Sequence, residues 1–114
     1  MAPSNAATIE AEADRLTLIN VYEVEPEKQV DLSRLLSKVT EDTIRHQPGF
    51  VSVCIHTSLD GSKVVNYAQW ESKKHFQDFM AQPAVQEELK RFAALAKSVT
   101  PSLCMVDAVH VARA

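Results

Sequence analysis

Residues 50–70 read FVSVCIHTSLDGSKVVNYAQW, and this stretch decides the fold. Phe50–Thr57 and Lys63–Trp70 are rich in β-branched and aromatic residues, which suit a pleated, half-buried surface. Asp60-Gly61 between them is a hairpin turn signal. The stretch therefore predicts two antiparallel strands. Upstream, Leu16–Val24 (LTLINVYEV) is β-rich and nearly all apolar, which predicts another strand covered on both faces. Pro26 suits the first turn of a helix. Val30, Leu32, Leu35, Leu36, Val39 and Ile44 roughly follow helical spacing, and Pro48-Gly49 stops that helix. Downstream, Ser72 is an N-cap for a short helix holding Phe76, Phe79 and Met80. Pro83 opens a further helix with Val85, Leu89, Phe92, Ala93 and Ala96 on one face. Pro101 ends it, and Leu103–Val111 (LCMVDAVHV) is expected as the fourth strand.

The predicted order is β-α-β-β-α-α-β. This is the α+β class, with the split βαβ or ferredoxin-like arrangement and an antiparallel sheet. Right-handed crossovers place the helices on one face. The first and third strands form the central pair. A second apolar face then remains. Val21 and Ile19 lie on it in strand one, and alternation predicts that strand two splits into Val51, Val53, Ile55 against Phe50, Cys54. Such a patch is too large to leave in water. Packing of a second copy, sheet against sheet, is the simplest cover, so a homodimer is expected.

Composition narrows the function. The 114 residues allow one domain, and 46% hydrophobic content supplies a core. Residues 1–14 read as a flexible tail and 15–114 as the domain. A net charge of −3 argues against sequence-independent nucleic-acid binding. Two glycines leave no Gly-rich phosphate loop. Cys54 and Cys104 are far apart, show no zinc spacing and read as buried free thiols. No run reaches the ~20 apolar residues of a membrane span. The N-terminus is neither a signal nor a transit peptide, so a cytoplasmic protein is expected.

The candidate chemistry sits on the central strands. Val64, Asn66, Ala68 and Trp70 share one face of strand three. Asn66 and Trp70 are about 13 Å apart along the strand, with small Ala68 between them. That row can form the floor of a cavity. On strand one, Asn20 interrupts an apolar run. Each buried amide must find partners or cost roughly 1–3 kcal/mol. Two amides and an indole donor on neighbouring strands can face one cavity; the plain alternative is bonding to nearby backbone. His56 and His110, on predicted strands, can line a cavity. His46 and His75 fit a helix end and a solvated helix face. Glu87-Glu88-Leu89-Lys90-Arg91 fits a solvated face, from which Lys90 or Arg91 can reach an anionic ligand. No nucleophile motif such as GxSxG is present.

Val64-Val65-Asn66-Tyr67-Ala68-Gln69-Trp70-Glu71-Ser72, after Asp60-Gly61, strongly resembles the antibiotic biosynthesis monooxygenase family. Pro48-Gly49-Phe50 and Pro83-Ala84 are also family-like, and the resemblance covers about residues 15 to 111. Its NYAQW segment is similar to the cofactor-independent anthrone oxygenases of actinorhodin and nogalamycin biosynthesis. The resemblance implies a dimeric α/β barrel of ferredoxin-like subunits. It implies a monooxygenase that turns an anthrone or related aromatic polyketide phenol into a quinone with O₂ as co-substrate and no cofactor or metal. Asn66, Trp70 and Asn20 are then the catalytic residues. Tyr22, Ala68, Phe76, His56 and Leu89 are the expected substrate-binding residues. The partners are a small aromatic substrate and a second copy, with no nucleic acid or membrane. Phe76 stands where the actinorhodin-type enzyme has a Tyr, so that phenol's role does not carry over. The haem-degrading branch has an iron-ligating His where this chain has Leu89, and leucine cannot bind iron. A quinol or small-phenol monooxygenase, or a non-catalytic ligand-binding stress protein, are the alternatives on the same scaffold.

Overall fold

A computed structural model describes residues 5–11 and 14–113. The four strands are β1 (Leu16–Glu23), β2 (Phe50–Thr57), β3 (Lys63–Trp70) and β4 (Ser98–Cys104). The helices are α1 (Gln29–Asp42), α2 (Lys73–Met80) and α3 (Pro83–Ala94). The sheet order is β2-β3-β1-β4, antiparallel throughout, with β1 and β3 at the centre as expected. Pro26 opens a short 3₁₀ turn that runs into α1. Proline fits there because its missing N–H would lack a partner in any case. Ser72 caps α2 by accepting a hydrogen bond from the His75 backbone N–H, and Pro83 is the first residue of α3.

Two local features differ from the simple alternation. A bulge between Phe50 and Ser52 resets the register of β2. Phe50 pairs with Trp70 and packs edge-on against its indole, with ring centroids 5.8 Å apart. Phe50 therefore joins the helix side of the sheet, not the face shared with Cys54. A bulge adds one residue to one strand, and strict period-two reading fails across it.

The second difference is β4. It covers Ser98–Cys104, not Leu103–Val111, and residues 105–113 have no regular secondary structure. Pro101 does not end α3, which stops at Ala94; it sits inside the strand, opposite Asn20. An edge strand tolerates this, because a proline there removes no ladder bond on the open side. His110 is consequently outside the sheet, and exposed.

The helices cover one face. Leu32, Leu36 and Val39 of α1 pack with Tyr22, Val24, Val64 and Phe92 in one core. Leu16, Ala68 and Trp70 pack with Phe76, Phe79 and Val85 in a second. Val30, expected on the apolar stripe of α1, is half exposed. On the far face, Ile19, Val21, Val65, Tyr67 and Cys54 are only partly buried. One end of that face is different: Gln69 and Thr17 are buried, and Gln69 donates through Nε2 to the Thr8 carbonyl at 3.0 Å. Part of the chain before β1 thus lies against the sheet. Of the expected tail, residues 1–4, 12 and 13 lie outside the described residues.

The β2–β3 turn is held by Asp60. Its Oδ1 accepts from the Ser62 backbone N–H (3.0 Å), the Ser62 hydroxyl (2.7 Å) and the Ser58 hydroxyl (2.8 Å). Those bonds, led by the Ser62 hydroxyl, lower its pKa to about 2. At Gly49, φ is +80° and a Cβ would collide with the His75 side chain. Only glycine suits this close approach of the chain to α2. His75 is accordingly packed over Gly49 rather than free in solvent, and its Nδ1 lies 2.7 Å from the Ser72 hydroxyl.

Candidate active site

Alternation along β1 and β3 brings the candidate residues to the helix side. Leu18, Asn20 and Tyr22 line a cavity of about 280 Å³ from β1, and Asn66, Ala68 and Trp70 line it from β3. Asn20 and Asn66 are direct cross-strand partners, so their Cβ atoms are about 5 Å apart. Opposite the sheet, Phe76, Phe79 and Leu89 close the cavity. Val99 and Pro101 of β4 form its outer edge with Ala93 of α3, and all three are exposed to solvent.

The wall is apolar apart from a few groups. Trp70 is 2% exposed and wedged among aromatic rings, 4.7 Å from Phe79 and 6.1 Å from Phe76 between centroids. Asn20 Oδ1 and Asn66 Oδ1 are buried and make no hydrogen bond. Unpaired buried carbonyls are costly, and natural folds keep few of them outside functional sites. Tyr22 is the one titratable side chain among the described residues that line the cavity. Burial pushes its phenol up to about 12, against a smaller opposing influence of the neighbouring Asn20 side chain. It stays neutral in the working range of most proteins.

Seven of the eight residues singled out in the sequence line this cavity: Asn20, Tyr22, Asn66, Ala68, Trp70, Phe76 and Leu89. His56 does not. It pairs with Val65 on the far face of the sheet and is exposed. The reason is parity: Ile55, not His56, shares the Asn66 row. Lys90 and Arg91 also stay outside. They are exposed and pair with Glu87 (3.3 Å) and Glu88 (2.8 Å). Leu18, Val53, Phe92, Val99 and Pro101 were not anticipated. The SVT run before Pro101 carried the missing signal for the β4 residues, since β-branched residues favour strands.

Residues 15–100 match the family described as antibiotic biosynthesis monooxygenase. The chain belongs to that family. As a family member it is a monooxygenase, and its relatives agree. It is 54% identical over 80 residues to the tetracenomycin-F1 monooxygenase of Streptomyces glaucescens, covering 70% of this chain and 71% of that one. It superposes on a monooxygenase from the gene ActVA-Orf6 of Streptomyces coelicolor, solved in complex with nanaomycin D, with a TM-score of 0.77. The identity there is 27%, over 89% of this chain and 94% of that one. The fold is shared with SnoaB, a cofactor-independent oxygenase from Streptomyces nogalater, at a TM-score of 0.75 and 22% identity. That match covers 85% of this chain and 97% of the other. This antibiotic biosynthesis monooxygenase has Leu89 in the cavity wall. Among its described residues no group of three His, Cys, Asp or Glu side chains is placed to hold a metal ion.

Proposed function

We propose that the protein oxidises an anthrone or a related phenolic aromatic polyketide to a quinone, using O₂ and no cofactor. The observation that carries this reading is the pair of adjacent amides, with unpaired carbonyls, set in an otherwise apolar cavity. Its relatives' activities support it. A flat aromatic substrate fits the apolar walls, and the amides supply the few polar contacts that orient it.

The chemistry needs little from the protein. An anthrone CH₂ loses a proton to give an electron-rich, phenolate-like anion. That anion passes one electron to O₂, and the two radicals join through a C–O bond. Protonation gives a hydroperoxide, and loss of water leaves the new carbonyl. One oxygen atom enters the product and the other leaves as water. Asn66 stabilises the developing oxyanion through its amide N–H, as a preorganised donor in a water-poor site. Asn20 holds the substrate carbonyl or the peroxide. Trp70 packs on the rings and offers its indole N–H. Tyr22, Ala68, Phe76 and Leu89 shape the binding space. With Tyr22 neutral, the cavity wall offers no strong base, so water or the reduced oxygen takes the proton.

The test is oxygen uptake by metal-stripped, flavin-free protein with an anthrone, a small quinol and haem as substrates. Quinone formation from the anthrone is expected. Turnover of the quinol alone would move the reading to a small-phenol monooxygenase, and haem turnover would overturn the argument from Leu89.

We further infer a homodimer in the cytoplasm. The partly covered far face supports the dimer, and two free thiols fit a reducing compartment. Val65→Asp places a charge in the middle of that face and should give monomers or insoluble protein by size-exclusion chromatography. A folded Val65→Asp dimer at low micromolar concentration would sink the sheet-to-sheet arrangement. No helix among the described residues is long and apolar enough to cross a membrane.

A further inference from the structure

The cavity has a direction. Trp70, Phe76 and Phe79 close one end, and Tyr22 and Leu36 close the side toward α1; all five are buried. Ala93, Val99 and Pro101 are the lining residues exposed to solvent. The opening therefore lies between α3 and the edge strand β4. Strand register measures its distance from the amides. Asn66 pairs with Asn20, and Asn20 pairs with Pro101. Neighbouring strands are about 4.8 Å apart, so Asn20 is one spacing from the open edge and Asn66 is two.

Outside the opening the floor continues. Val99, Pro101 and Leu103 alternate along β4 and pair with Tyr22, Asn20 and Leu18, all three of which line the cavity. Direct cross-strand partners share a face, so this β4 row prolongs the cavity floor past its mouth. The row is apolar and uncovered. Val99 is 37% exposed and Leu103 50%, and among the described residues none of β4 joins either helix-packed core. The enclosed space is small. At about 280 Å³ it falls just below the roughly 300–1,000 Å³ of sites that enclose most of a drug-sized ligand. A rigid polycyclic molecule held at the amides cannot lengthen past the closed aromatic end. Additional length leaves through the mouth, where Ala93 presents only a methyl group.

We propose that the substrate binds with one end outside the cavity: its further rings pass Ala93 and rest on the apolar shelf of Val99, Pro101 and Leu103, so that residue 93 and the shelf set the length of substrate taken. The ligand class is an elongated, flat, linearly fused aromatic. Its polar substituents belong on the projecting end, because that end meets water. The choice of fused aromatics rests on the oxidation reading; the mouth and the shelf do not.

Equilibrium binding tests this without turnover. Trp70 is the chain's one tryptophan and lines the cavity, so quenching of its fluorescence reports occupancy. The probes are two quinones already at the oxidation level of a product, a dihydroxyanthraquinone with three linear rings and a dihydroxytetracenequinone with four. The readout is the ratio of four-ring to three-ring affinity. Ala93→Phe narrows the mouth and should lower that ratio at least about tenfold, as a steric mismatch in an apolar site does. Leu103→Ser acts outside the cavity and should lower it about fivefold, because only the uncovered half of that leucine is available to the ligand. Both positions are exposed, so thermal melts should stay close to wild type. An unchanged ratio in either variant overturns the proposal. A Leu103→Ser protein that keeps the ratio but changes its oligomeric state on size-exclusion chromatography overturns it too, and assigns the shelf to a second copy. If the ratio falls as expected while no anthrone is oxidised, the oxidation reading fails and the mouth stands. If an anthrone is oxidised and the ratio does not move, the mouth fails and the oxidation reading stands.

Discussion

Asn66→Ala is expected to lower kcat on an anthrone by about a hundred- to a thousandfold, equivalent to roughly 2.7–4 kcal/mol in the barrier. The position explains the size. Asn66 shares its face of β3 with Ala68 and Trp70, and small Ala68 leaves space beside the amide. Negative charge that develops there lies against a mostly apolar wall, where a fixed donor is worth more than in bulk water. The bond strengthens as the anion forms, so the loss falls on kcat more than on KM. Asn66→Asp is nearly isosteric but should be as damaging, because a carboxylate repels the anion. A purely structural Asn66 predicts otherwise. Its carbonyl already lacks a partner, so truncation leaves no newly orphaned group bonded to that oxygen. Thermal melts of Asn66→Ala should therefore stay close to wild type. A stable Asn66→Ala that oxidises the anthrone at near wild-type rate would remove Asn66 from catalysis.

What could be read in the sequence depended on whether period-two alternation held. It holds along β1 and β3, where side chains face one way at every second residue without interruption. The shared row of Asn66, Ala68 and Trp70 is legible for that reason, whereas Asn20 stands out as an amide in an apolar run and Tyr22 follows only from the family resemblance. Alternation fails at Phe50, where the bulge adds a residue and returns the ring to the helix side. It fails differently at β4. Pro101 is a strong helix and strand breaker on local grounds, and LCMVDAVHV has the better strand composition. The partner strand overrides both. β1 pairs through Thr17–Glu23 with Ser98–Cys104, and pairing with a central strand outweighs the local preference of an edge segment. The cavity wall from Val99 and Pro101 was lost with that register. His56 illustrates a residue type chosen for its chemistry against its parity: one position along β2 decides between cavity and outer face.

Trp70 is the position at which stability and function are hardest to separate, and size of effect separates them. The indole is almost wholly buried, and Phe50, Phe76 and Phe79 all pack against it. Truncation of such a side chain costs about 3–5 kcal/mol through lost burial and the cavity left behind. A domain of this length has roughly 5–15 kcal/mol in total. Trp70→Ala should therefore lose much of its stability, seen as a large fall in urea midpoint, and its low activity would say nothing about chemistry. Trp70→Phe is the decisive change. It keeps an aromatic ring against the Phe79 face but removes the indole N–H, with a smaller loss of packing. If the N–H helps hold the substrate or the peroxide, Trp70→Phe should remain folded yet lose about tenfold in kcat/KM, the order expected of one hydrogen bond. Asn66→Ala should depress the rate of the folded Trp70→Phe protein further, since the two donors lie at different points of the cavity floor. A Trp70→Phe protein with wild-type kinetics and a lowered melting temperature would confine Trp70 to packing, and leave Asn66 and Asn20 as the donors of the site.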